Sequence, residues 1–136
     1  RTDTNIDVFE WIKEVQDMGV GEIILTSINN EGIGKGFDLN LYEKASKLCN
    51  ISLLAHGGAR NLDDVYRLFI NSDVDGAVIA SAFHFNYYKE LLKRKEISLQ
   101  GSTNFLIDKN YKNKFFFKIQ ELKKYLKSKD INIRLK

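Results

Sequence analysis

Three observations predict an α/β fold with a parallel sheet. Stretches with helical apolar spacing alternate with short runs too apolar to face water on one side, the connections between them are short, and every strand-like run ends in a polar or glycine-rich turn. Helix, strand, helix, strand, helix, strand in that order implies right-handed crossovers between parallel strands.

The first helix is predicted over residues 4–18, where Ile6, Val8, Phe9, Ile12, Val15 and Met18 share one face before Gly19 and Gly21 end it. Residues 22–26, Glu-Ile-Ile-Leu-Thr, form the first strand. Residues 27–37 hold Gly32, Gly34 and Gly36 among polar residues, a composition that predicts a long mobile loop. Asp38 is placed to cap a helix over 39–48 that presents Leu39, Tyr42, Ala45 and Leu48, and Asn50 breaks it. A second strand over 51–55 stops at His56-Gly57-Gly58. Asn61 then caps a helix over 62–71 carrying Leu62, Val65, Leu68, Phe69 and Ile70. After the Asn71-Ser72-Asp73 turn, residues 76–80 form a third buried strand that ends at Ser81. Beyond Phe85 the alternation loosens into a short helix over 86–95, a mixed polar stretch over 97–114 and a final amphipathic helix over 116–127.

At 136 residues and 43 % hydrophobic, the chain has enough apolar material for one domain with its own core. Its longest apolar runs, Ala77-Val78-Ile79-Ala80 and Phe115-Phe116-Phe117, fall far short of the roughly 20 residues that span a bilayer, so no membrane segment is expected. A single cysteine, Cys49, excludes an internal disulfide and reads as a structural thiol in a reducing cytoplasm. Two distant histidines and one cysteine make no metal set. Charge is divided: residues 1–85 hold 7 Lys and Arg against 13 Asp and Glu, and residues 86–136 hold 14 against 5. The basic tail lacks a nucleic-acid motif, so solvated helix faces are the favoured reading, with Tyr87-Tyr88 and Phe115-Phe116-Phe117 taken as packing. The chain opens at Arg1, directly before a helix start, as a piece of a longer protein would.

The stretch Ile51 to Arg60 organises the functional reading. An apolar run stops at a glycine pair that lets backbone approach a ligand closely, and a helix begins beyond it, so N–H groups and a positive dipole end lie together. The turns after the neighbouring strands, Thr26-Ser27 with Gly32 beyond and Ala80-Ser81, face the same way. In a closed parallel barrel such strand ends gather at one rim, and the loops after the last two strands commonly hold a phosphate. Gly57, Gly58 and Ser81 are the expected donors. The bland alternatives stay beside this: the glycine pair as a simple turn, His56 as a satisfied hydrogen-bonding residue, Thr26 and Ser27 as backbone caps at a strand end, and His84 between Phe83 and Phe85 as structural.

Several segments carry a resemblance: Gly19-Val20-Gly21-Glu22-Ile23-Ile24-Leu25-Thr26-Ser27-Ile28, Gly36-Phe37-Asp38, Ala55-His56-Gly57-Gly58-Ala59, Ala80-Ser81-Ala82-Phe83-His84-Phe85 and Ile131-Asn132-Ile133-Arg134-Leu135. In this order and spacing they resemble the C-terminal half of the cyclase subunit of imidazole glycerol phosphate synthase. The resemblance implies a TIM-type (β/α)₈ barrel of which residues 1–136 supply the last three strands and their helices, with 86–118 as an insertion-like segment before the final helix. It implies an enzyme of histidine biosynthesis, a lyase or synthase that takes ammonia from a glutaminase partner and acts on a phosphorylated ribosyl intermediate, with no cofactor. Thr26, Gly32, His56, Gly57, Gly58, Ala80 and Ser81 match its phosphate and substrate contacts, and Glu22 matches a charged residue at the ammonia entry on the opposite rim.

The family's two catalytic aspartates lie on strands that precede this stretch, so no catalytic residue is assigned here. Two local departures stand out: Asn29-Asn30-Glu31-Gly32 replaces the usual Asp-x-Asp-Gly, and His56 stands where the family usually has serine. They leave open a paralogue that installs nitrogen on a nucleotide sugar for surface polysaccharide. A phosphate-binding half-barrel without catalysis of its own is the other alternative. A half-barrel also calls for a missing N-terminal half or a homo-oligomer to cover its inner face.

Overall fold

The computed structural model describes residues 3–94 and 116–135. Its elements are α1 (Val8–Asp17), β1 (Glu22–Thr26), α2 (Leu39–Ser46), β2 (Ser52–His56), α3 (Leu62–Asn71), β3 (Gly76–Val78), α4 (Ser81–Arg94) and α5 (Ile119–Ser128). The strands form one parallel sheet in the order β1-β2-β3. The register sets Glu22 beside Ser52, Ile24 beside Leu54 and Gly76, and Thr26 beside His56 and Val78.

Because side chains alternate across a strand, this register sorts the sheet into two faces. Ile23, Leu25, Leu53, Ala55 and Ala77 turn toward the helices and join a core with Ile12, Tyr42, Ala45, Val65, Leu68, Leu122 and Leu126. Full burial of a side chain such as Leu53, Leu68 or Leu126 contributes about 1.5–3 kcal/mol each. The opposite face carries Glu22, Ile24, Thr26, Leu54, His56 and Val78, and Ile24 on it is 57 % exposed. Among the described residues, the outer edges of β1 and β3 have no strand partner. The helices pack in sequence, α2 on α3 and α3 on α5. Gln16 joins α1 to the end of α2, its amide donating to Ile12 and Leu48 carbonyls at 3.0 and 3.1 Å and accepting from the Asn50 N–H at 2.7 Å.

Most predicted elements are present, with shifted ends. The first helix starts at Val8 rather than residue 4, because Asn5 holds φ at +56° and the Asp7 carboxylate caps the Phe9 and Glu10 N–H groups at 2.8 and 3.1 Å. α2 ends two residues early in a tight turn, where Leu48 and Cys49 both donate to the Ala45 carbonyl. The second strand is shifted one residue to include His56, and the third is shortened to Gly76–Val78.

The helix expected over 86–95 begins instead at Ser81, so no separate turn follows the third strand; its first internal bond runs from the His84 N–H to the Ala80 carbonyl at 3.0 Å. The last helix begins at Ile119 rather than 116, because Phe117 is buried edge-on against Phe83 and Glu121 reaches back to the Lys118 N–H. The loop 27–37 is fastened rather than loose: Asn30 and Glu31 N–H groups bond the Ser27 carbonyl at 3.1 and 2.9 Å, and Gly36 N–H bonds the Gly58 carbonyl at 2.9 Å. Of the insertion-like segment 86–118, residues 86–94 continue α4, 116–118 lead into α5, and the rest lies outside the described residues, as does Phe115. No described helix is long and apolar enough to cross a membrane.

Candidate functional site

The C-terminal ends of the three strands enclose a pocket of about 290 Å³. Its wall comprises Glu31 to Gly34 from the loop after β1, His56 to Ala59 from the turn after β2, and Val78 to Ala82 with Phe85 from β3 and the start of α4. The structure therefore brings together Gly32, His56, Gly57, Gly58, Ala80 and Ser81. Thr26 does not line the pocket directly. It reaches the wall through a 3.0 Å hydrogen bond between its Oγ1 and His56 Nδ1, across the β1–β2 pairing. Glu22 lies at the far end of β1, exposed on the opposite rim.

The α4 end of this pocket has the chemistry to receive an anion. Ala80 occupies the N-cap position and has no side-chain acceptor, and among the described residues nothing caps the Ser81 and Ala82 N–H groups. Free N–H groups and the positive end of a helix dipole face the cavity together.

The glycine pair is also required by packing within the protein. Gly57 and Gly58 adopt φ of +101° and +105°. A Cβ on Gly57 would stand 2.8 Å from the Ser27 carbonyl oxygen, and one on Gly58 would stand 2.1 Å from that of Gly36. Contact between two loops of the protein itself requires both glycines. Gly32, at φ +74°, has open space around a would-be Cβ, so only its backbone conformation favours glycine.

Two buried polar side chains that sequence reasoning did not single out hold the rim in place. The Tyr42 hydroxyl, from α2, bonds the carbonyls of Leu25 and His56 and accepts from the Ser27 N–H at 3.2 Å, joining the ends of β1 and β2. Burial pushes its pKa above the ordinary phenol value, against the pull of those backbone bonds. No sequence signal marks that hydroxyl, since Tyr42 reads as one more core position. Asp64 was legible as the fourth residue of an Asn61-x-x-Asp64 capping box. Its carboxylate accepts the Arg60 and Asn61 N–H groups at 3.1 and 3.2 Å and pairs with the Arg60 guanidinium at 3.4 Å, while Asn61 caps the Asp64 N–H at 2.9 Å. Glu31, Ile33, Val78 and Phe85 are further wall residues found only in three dimensions.

Three consecutive βα units with a pocket at their strand C-termini fit a segment of a (β/α)₈ barrel. A family model described as "Histidine biosynthesis protein" matches residues 1–89, and the chain belongs to that family. It is similar to the "Imidazole glycerol phosphate synthase subunit HisF" of Pseudoalteromonas translucida (strain TAC 125), 48 % identical over 77 residues, covering 57 % of this chain and 30 % of that protein. The proteins of the same name from Prochlorococcus marinus (strain MIT 9301) and Clostridium beijerinckii (strain ATCC 51743 / NCIMB 8052) are each 37 % identical, over 80 % and 81 % of this chain and 39 % and 40 % of their own lengths. The chain thus spans 30 to 40 % of the curated relatives it matches.

Proposed function

We propose that this chain forms the C-terminal strand-end wall of an imidazole glycerol phosphate synthase cyclase subunit in histidine biosynthesis. Its pocket holds a phosphate of a phosphorylated ribosyl intermediate, and a glutaminase partner supplies the ammonia. One observation carries the reading: an uncapped helix N-terminus at Ser81 opens into a cavity that two further strand ends complete. Backbone N–H groups of Gly57, Gly58, Ser81 and Ala82, with the Ser81 hydroxyl, are the donors. Thr26 orients His56, and Glu22 serves the ammonia entry at the opposite rim. The acid–base pair belongs to strands outside this stretch, so the residues here bind and position.

Ala80→Asp tests the cradle without confusing binding with folding. An aspartate at the N-cap satisfies the helix N–H groups and stabilises the fold by about 0.5–2 kcal/mol. The same carboxylate opposes a phosphate at about 4 Å by on the order of 4 kcal/mol at an effective dielectric near 20. Phosphorus NMR titration with inorganic phosphate should show binding lost in Ala80→Asp. Ser81→Ala should weaken it by roughly 0.5–1.5 kcal/mol. Unchanged phosphate affinity in a more stable Ala80→Asp protein would refute the cradle.

A further inference from the structure

We propose that His56 is the specificity-determining residue of this pocket: it binds a doubly charged anion as imidazolium, so that ligand binding takes up a proton. The inference rests on the phosphate reading above. Among the described residues lining the cavity there is no lysine or arginine, and among them His56 is the one side chain able to become cationic. The other charged wall residue, Glu31, is a carboxylate.

The surroundings of the ring permit either charge state. Nδ1 meets the Thr26 hydroxyl at 3.0 Å, and a hydroxyl both donates and accepts. Thr26 donates to Nδ1 of the neutral ring and accepts from Nδ1–H of the imidazolium, so titration breaks no hydrogen bond. Among the described residues only Nδ1 has a protein partner, which leaves Nε2 for a ligand. The His56 backbone is held independently, its carbonyl accepting from the Ser27 N–H at 3.0 Å and from the Tyr42 hydroxyl.

The groups around the ring fall on four elements. β1 offers neutral Thr26, and the loop after it offers the Glu31 carboxylate. α2 offers the Tyr42 phenol, neutral because burial raises its pKa. β3 offers apolar Val78, and the start of α4 offers Ser81 with a positive helix end. The turn carrying His56 adds Arg60, paired with Asp64 away from the lining. A dianion in this cavity attracts the imidazolium and not the neutral ring, so the two proton states of His56 differ in affinity for it.

Sulfate is the decisive probe, because it stays a dianion while histidine titrates. By calorimetry its Kd in the purified protein should rise about tenfold from about pH 5 to about pH 8, the change equivalent to one unit of coupled pKa. His56→Gln should flatten that dependence, and His84→Gln should retain it. A sulfate affinity independent of pH in the parent, or a slope surviving in His56→Gln, overturns the role of His56 alone. Absence of both sulfate and phosphate binding at every pH overturns the underlying phosphate site instead. Calorimetry of sulfate binding to the parent protein in buffers of different ionisation enthalpy gives a readout that needs no variant: the heats should show proton uptake on binding, and heats independent of the buffer overturn the proposal.

Discussion

Gly58→Ala probes the contact between the two loops that wall the pocket. At φ +105° an L-residue is strained by about 1–3 kcal/mol. The added Cβ would also lie 2.1 Å from the Gly36 carbonyl oxygen, 2.8 Å from its carbon and 3.0 Å from the Asn30 Cβ. Both Gly36 atoms are backbone, so no rotamer change relieves the overlap, and overpacking of this kind costs about 1–3 kcal/mol more. The expected total, about 2–6 kcal/mol, is a large share of the 5–15 kcal/mol by which domains are stable. Two other glycines separate the terms. Gly19, at φ +86°, has nothing within 4 Å of a would-be Cβ, so Gly19→Ala carries strain alone. Gly21 has neither a positive φ nor a neighbour within 4 Å, so Gly21→Ala should stay within about 0.5 kcal/mol of the parent. Urea unfolding followed by circular dichroism ranks the three. A Gly58→Ala loss no larger than that of Gly19→Ala would refute the close approach of the loops.

Tyr42→Phe removes the hydroxyl that joins β1 to β2, and should cost about 1–3 kcal/mol in the same assay. Because burial raises the Tyr42 pKa, the folded state keeps a proton that the unfolded chain releases above about pH 10. That stability is fully present below the unfolded value and is lost as pH rises through the folded one, so the alkaline fall in urea midpoint should be shallower in Tyr42→Phe; an identical fall would contradict it. Asp64→Ala strips the acceptor from the Arg60 and Asn61 N–H groups and should destabilise by about 1–3 kcal/mol, whereas Glu43→Ala, whose carboxylate meets Lys47 on the surface, should cost much less. Equal losses in the two variants would count against the cap.

The order of elements was legible because period and burial agree in this chain. Residues 22–26 and 51–55 are apolar enough to require helices over one face, and Asp38 and Asn61 do cap helices, whereas the Asp7 cap was passed over inside a helix expected from residue 4. The start of α4 was hidden because Ala80 carries no capping side chain, and the missing cap is what leaves the pocket open. The glycine pair was found for its position, but its contacts within the protein were not, since nothing local in Gly57-Gly58 reveals that Ser27 and Gly36 lie against it. Tyr42 illustrates the remaining limit. Helical spacing predicts that its ring is buried, but the three backbone groups at its hydroxyl come from two strands brought together only by folding.

The bond between Gly36 and Gly58 has a consequence for recombination among relatives. Each of those loops carries half of a single joint: one gives the N–H, the other the carbonyl, and Gly58 lacks a side chain where the Gly36 carbonyl passes. Asn30 extends the joint by donating to the Gly36 carbonyl at 3.0 Å. A chimaera whose crossover falls between β1 and β2 inherits the halves from different parents, while crossovers before residue 27 or after residue 61 transplant the joint whole. The unit of exchange at this rim is a pair of loops, and their sequences are expected to drift together.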